Sequence, residues 1–262
     1  MTIDILNESI NYSIESNNKE KILFIHGFGS NGMVINRIKK FTPDFDFIQV
    51  DLPGCGKSTM NKDICSLEYL YEIVLEFLKK IDTKIDIVIS HSMGSDIALQ
   101  LLKNKIVKKA ILVSPLTFQL QYSKIDIKEN ILPITREQAK HALLNLFNSH
   151  SEKFLSIIDN QAKISLDYAN IHRKFFEKMV DNQILNTSYL KNRQEEIFKK
   201  YNNDIFIIVG DNDLFTTRES LDLLSEIYNI KLYVVNDCGH AIFVEQPEHV
   251  ANNINNIYKC II

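Results

Sequence analysis

Ile87-Val-Ile-Ser-His-Ser-Met-Gly-Ser-Asp96 is the stretch that decides how this 262-residue chain is read. Its opening residues are β-branched and apolar, as in a strand buried on both faces. Ile97, Ala98, Leu101 and Leu102 then recur at helical spacing. Only a small residue, His, Ser, Met and Gly separate the two patterns, which leaves no room for a loop. The chain must turn sharply from strand into helix, and Ser92 stands at the turn. The start of a helix is also where developing negative charge is favoured.

The same alternation extends to either side. Short apolar, β-branched runs predict strands at 2–6, 10–14, 21–26, 46–50, 85–90, 108–113, 204–209 and 230–235. Helical patterns fall near 31–41, 66–80, 92–103, 216–228 and 247–258, and Pro247 suits a first helical turn. Strands alternating with helices predict an α/β fold, a mostly parallel sheet covered on both faces. One region breaks the rhythm. Residues 116–200 read as helical throughout, with Ala142, Leu143, Leu146 and Phe147 three and four apart. The expected division is a core of 1–115 and 201–262, with 116–200 inserted as a helical cap.

Composition narrows the partners. A hydrophobic fraction of 45% and a charged fraction of 24% are ordinary for a folded globule, and 262 residues can bury a sizeable core. A net charge of −3, with lysines scattered, offers no basic face for nucleic acid. Cys55, Cys65, Cys238 and Cys260 form neither a C-x-x-C pair nor a metal-ligand spacing, so reduced thiols are expected. Residues 1–20 lack a basic stretch followed by an apolar run, and no apolar run approaches a membrane span. Lys259-Cys-Ile-Ile262 puts its cysteine one place short of a prenylation box. A cytoplasmic protein is the expectation, and no motif sets its oligomeric state.

A second stretch, Asp51-Leu-Pro-Gly-Cys-Gly-Lys-Ser-Thr59, ends like a phosphate-binding loop. That loop reads G-x-x-x-x-G-K-[ST], which would put its first glycine at position 51. Asp51 stands there instead, and its carboxylate would repel phosphates that the loop's N–H groups must cradle. Thr59-Met-Asn-Lys-Asp63 also reads as more loop where a helix should open. The stretch is read as a Gly/Pro turn leaving a strand, with Lys57 pointing to solvent.

Taken in order, these stretches resemble the α/β-hydrolase family, whose nucleophile elbow reads G-x-S-x-G. Ser90 stands where the first glycine belongs and Gly94 is the second. His26-Gly-Phe-Gly29 is similar to the family's oxyanion loop, which implies backbone N–H donors at Phe28 and at Met93, after the nucleophile. The Asp51 turn is similar to the family's D-x-x-G-x-G-x-S. The family's chain order of Ser, acid, His implies Asp213 in Gly210-Asp-Asn-Asp-Leu214 as the acid, with Asp211 a turn-former. It implies His240 in Asp237-Cys-Gly-His-Ala241 as the base. Sheet topology would gather these loops at the carboxyl ends of the strands.

The resemblance covers roughly 1–115 and 204–262. It implies a serine hydrolase of small acyl substrates, a carboxylesterase above all, with a Ser92–His240–Asp213 triad and no metal or organic cofactor. Carbon–carbon bond hydrolysis of ring-cleavage products uses the same triad, but those relatives carry an Arg and a Trp near the substrate carboxylate, and this chain has no Trp. A non-catalytic binding protein on this fold is the third reading. His26 and His91 read as supporting residues, His141, His150 and His172 as cap surface. Phe147, Phe154, Tyr168, Phe175 and Phe176 are read mainly as cap packing, with an acyl pocket as the alternative.

Overall fold

A computed structural model describes residues 1–261. Those residues form one eight-stranded sheet: β1 (Thr2–Ile5), β2 (Glu8–Ile14), β3 (Glu20–Ile25), β4 (Phe45–Val50), β5 (Ile87–His91), β6 (Lys109–Val113), β7 (Ile205–Gly210) and β8 (Lys231–Val235). Their order across the sheet is β1-β2-β4-β3-β5-β6-β7-β8. β1 and β2 pair antiparallel, β2 joins β4 antiparallel, and every later pairing is parallel. All eight expected strands are present within a residue or two of their expected ends.

Alternation along the central strands builds two cores. In β3, Leu23 and Ile25 enter one hydrophobic cluster, whereas Ile22 and Phe24 enter the other. The first cluster is closed by α1 (Leu67–Ile81) and α2 (Gly94–Lys103). α1 buries Leu70, Ile73, Val74 and Phe77 at three- and four-residue spacing, and Ser66 Oγ accepts the Tyr69 N–H at its start. The second cluster lies on the opposite face.

The helix expected over 31–41 is instead two short 3-10 turns, Gly32–Arg37 and Lys39–Phe41. The reason is legible afterwards. Ile35, Ile38 and Phe41 recur every three residues, the period of a 3-10 helix.

Between β6 and β7 the chain is helical apart from its connections. It runs through a 3-10 turn (Phe118–Tyr122), α3 (Ile127–Ile131), α4 (Arg136–Asn145), the 28-residue α5 (Glu152–Met179), a π turn (Val180–Ile184) and α6 (Thr187–Lys200). α7 (Arg218–Tyr228), α8 (Ile242–Glu245) and α9 (Pro247–Ile261) complete the fold, the last two on the second cluster.

α6 is fastened to the sheet core by a buried polar network. Arg193 Nε donates to Asp96 Oδ2 on α2 at 2.7 Å, and its Nη1 donates to Glu68 on α1 at 3.1 Å. Gln194 Nε2 donates to Asp96 and to the Leu116 carbonyl, while its oxygen accepts the Phe118 N–H. Burial pushes the Asp96 carboxyl up, and the Arg193 guanidinium opposes it.

Among the described residues no helix is long and apolar enough to cross a membrane.

Candidate active site

Ser92 sits between β5 and α2 with φ +50°, in the left-handed region that non-glycine residues rarely adopt. The turn is held on both sides: Ser92 N donates to the Val113 carbonyl and Leu116 N donates to the Ser92 carbonyl, both at 3.0 Å. Gly94 leaves no choice of residue, because a Cβ there would lie 2.6 Å from the carbonyl oxygens of Ile25 and His26. Position 90 is less demanding. Ser90 is fully buried and its hydroxyl bonds that of Ser95 at 3.2 Å, so a small polar residue fits where the family pattern has glycine.

His240 and Asp213 come from the loops after β8 and β7. His240 Nδ1 lies 2.8 Å from Asp213 Oδ2. A carboxylate can only accept, so Nδ1 carries the hydrogen and Nε2 is left free. Asp213 is fixed in turn: its Oδ1 accepts the Phe215 and Thr216 N–H groups at 2.8 and 3.0 Å, and its Oδ2 accepts the Thr216 hydroxyl at 2.9 Å. Burial works to raise its pKa, but the His240 charge and hydrogen bond, with the Thr216 N–H, hold it below the ordinary value. The Phe215 ring stacks on the imidazole, centroids 4.5 Å apart.

Two further histidines brace this arrangement. His91 Nε2 donates to the His240 carbonyl at 3.0 Å. Burial, reinforced by the neighbouring His240 charge, pushes the His91 pKa down to about 3, so it stays neutral. His26 Nδ1 donates to the Gly27 carbonyl at 2.7 Å and its Nε2 accepts the Leu52 N–H at 2.9 Å, which pins the loop bearing Phe28. Gly27 lets the loop approach closely, since a Cβ there would lie 3.0 Å from Ser92 Cβ.

Ser92, His240 and Phe28 line one cavity of about 510 Å³ together with Phe147, Tyr168 and Phe215. No Asp, Glu, Lys or Arg lines it among the described residues. No hydrogen bond joins Ser92 Oγ to His240; they share the cavity without touching in this way. Met93 lines a smaller adjoining space with Ser92 and Phe28. Among the described residues, neither the Phe28 nor the Met93 N–H is spent on another protein group.

Other expected residues fall as follows. Asp211 does not reach His240; within its own turn its Oδ1 accepts from Asn212 Nδ2 at 2.8 Å rather than from the local backbone. Its Oδ1 accepts the Cys238 N–H at 3.1 Å, tying the β7 loop to the histidine loop. Asp51 accepts from Asn11 Nδ2, Gly32 N and Lys57 N, so the turn's own amide is consumed by the carboxylate that replaces the phosphate-loop glycine. Lys57 is exposed. Of the aromatics in the insertion, Phe147 and Tyr168 line the cavity, while Phe176 is buried against Phe28. His141 and His150 are exposed, and His172 stacks on Tyr168. No cluster of three metal-ligating side chains occurs among the described residues.

Glu245 is a residue whose part the sequence reading missed. Its Oε2 accepts the Gly239 N–H at 2.7 Å and its Oε1 accepts the Asn148 and Ser149 N–H groups. Ala241 N donates to the Leu146 carbonyl at 2.7 Å. The residues on both sides of His240 are therefore tied to the α4–α5 connection. The five-residue step from His240 to Glu245 was the only available signal.

Comparison with known proteins agrees with this architecture. A family model described as the alpha/beta hydrolase fold matches residues 21–247. A Mycoplasma genitalium protein classed with the esterases and lipases is 28% identical over 260 residues, covering 92% of this chain and 91% of its own. An uncharacterised Bacillus subtilis hydrolase, YugF, is 24% identical over 256 residues, covering 92% and 90%. Among solved structures, a membrane phospholipase A superposes with TM-score 0.82 at 18% identity, covering all of this chain and 86% of its own. A meta-cleavage product hydrolase superposes with TM-score 0.77 at 17% identity, covering 99% and 97%. At such identities the structural likeness speaks to fold alone, whereas the family match spans most of the sequence. This chain belongs to the α/β-hydrolase family and, with its hydrolase and esterase/lipase relatives, is a hydrolase.

Proposed function

We propose that this hydrolase cleaves carboxylic esters of small molecules through a serine nucleophile, Ser92. The observation that carries the reading is a serine held at φ +50° in a cavity shared with a histidine whose far nitrogen is already bonded to a buried carboxylate. His240 Nε2 takes the Ser92 proton as Ser92 Oγ bonds to the acyl carbon. Asp213 keeps the imidazole in the required tautomer and stabilises its cation. The Phe28 and Met93 N–H groups receive the oxyanion, each worth about 3–4 kcal/mol in the transition state. The alcohol leaves with the proton from His240, and water activated by His240 then releases the acid.

Residues 116–200 act as a lid on a core of 1–115 and 201–262. This division is supported by Phe147 and Tyr168, which reach from the insertion into the Ser92 cavity. The uncharged lining favours esters over the carboxylate-bearing substrates of carbon–carbon hydrolases. Four unpaired cysteines suit a reducing, cytoplasmic setting.

A fluorophosphonate probe tests the nucleophile. The native protein should be labelled once, at Ser92, and Ser92→Ala should abolish labelling. Stoichiometric labelling of the Ala variant, or none of the native protein, sinks the proposal.

A further inference from the structure

We infer that the acyl group accepted at Ser92 is short, acetyl to propionyl, and that the bulk of the substrate lies in its alcohol. This rests on the serine-hydrolase reading above and on two unequal cavities that meet at Ser92. The large one, about 510 Å³, holds His240. The small one, about 30 Å³, holds Met93 and Thr216 but not His240. Ser92, Phe28, Ile131 and Phe215 line both.

Proton transfer assigns the two sides. When the tetrahedral intermediate collapses, the bond from the acyl carbon to the alcohol oxygen breaks. That oxygen takes the proton which His240 Nε2 received from Ser92 Oγ. The alcohol therefore departs on the His240 side, into the larger cavity. The acyl group stays bonded to Ser92 Oγ and extends the other way, past the Met93 amide. There it meets Leu116, Leu120, Ile127, Ile131 and Ile184. A space of that size holds about one or two water-sized groups, the methyl of an acetyl or the ethyl of a propionyl. Apart from Ser92 and Thr216 its walls are apolar, so the acyl chain is a plain alkyl.

The far wall is held in place. Ile184 closes the π turn that leads into α6, and α6 is fastened to α2 through Arg193 and Gln194. The alcohol side has room to spare and is lined by Leu143, Phe147, Ile164 and Tyr168. It suits a bulky, uncharged alcohol or phenol.

The test is kcat/KM for 4-nitrophenyl acetate, propionate, butyrate and octanoate, beside acetates of methanol, hexanol and 2-naphthol. Activity should fall about tenfold or more with each methylene beyond propionate, while naphthyl acetate remains a good substrate. Leu120→Ala should raise the butyrate-to-acetate ratio about tenfold. Ile127→Ala serves as a second opening of the same wall, with melts to establish folding. A native enzyme that prefers octanoate, or a ratio unmoved in both folded variants, overturns the inference. If Ser92 is labelled by fluorophosphonate while long acyl chains are preferred, only this inference falls. If neither labelling nor ester turnover occurs, the serine-hydrolase reading falls with it.

Discussion

The sheet core and the inserted helices are stabilised on different terms. α1, in the core, buries seven of its 15 residues, whereas the 28-residue α5 buries five. Ile157, Ile164 and Ile171 stand exposed along α5, one heptad apart. Every central strand of the core is packed on both faces. The strained Ser92 elbow and the Asp213–His240 pair are built on the heavily packed part, which can over-determine a costly geometry. The cavity has walls from both parts, and the less packed one contributes Leu143, Phe147, Ile164 and Tyr168, where substitutions disturb less. Burial of this kind sets which segments open locally at low cost and which open only with the whole fold. Hydrogen bonds bridge the regions at several places, among them Arg193 to Asp96, Tyr168 to the Gly54 carbonyl, and Glu245 to the α4–α5 connection.

The largest expected effect lies wholly in the core. Asp213→Asn should lower kcat on a competent ester by roughly 10⁴-fold with the fold retained, as the equivalent change does in a serine protease. Asp211→Asn weakens the bonds to Asn212 Nδ2 and Cys238 N, neither of which reaches His240, and should cost far less. Kinetics of both variants, with thermal melts, decide this; a crippled Asp211→Asn beside a near-normal Asp213→Asn would reverse the two roles.

The next effect tests the bridge between the regions. Arg193→Met leaves the fully buried Asp96 carboxylate without its cation and should destabilise the protein by about 3–5 kcal/mol. Replacing both partners, as Asp96→Leu with Arg193→Met, should recover part of that loss. Urea titrations of the single and double variants measure it. An unaltered midpoint in Arg193→Met would mean that the Arg193–Asp96 pair does not help hold α6.

The smallest effect is a pH dependence that belongs to the core. His91 has its pKa pushed from 6.5 down to about 3, so between those values the unfolded chain binds the proton more readily than the folded one. Its contribution is complete above pH 6.5 and is lost as pH falls toward 3, with a slope approaching ~1.4 kcal/mol per pH unit. His26 is shifted in the same direction by burial. Asp213, held below 3.8, loses its contribution only at lower pH still, as the pH falls through its folded value. Unfolding free energies at pH 7.5 and 5.5 for the native protein and His91→Asn check this; equal slopes in the two would remove His91 from the account.

What the sequence determined by itself was local. The eight strands follow from apolar runs, and the Ser92 elbow follows from a strand meeting a helix with only small residues and one bulky pair between them. The family resemblance pointed to Asp213 over Asp211, and only Asp213 bonds His240. Even the misjudged 31–41 segment had its three-residue period written in Ile35, Ile38 and Phe41. Tertiary structure alone decided the rest. Arg193 meets Asp96 across 97 residues, and Glu245 meets Asn148 across 97 more remote ones. Which side of Ser92 is roomy depends on where Leu120, Ile127 and Ile184 come to rest. Such contacts leave no period and no spacing in the chain. They depend on how amphipathic helices settle on a finished sheet, which many apolar sequences could satisfy in different ways.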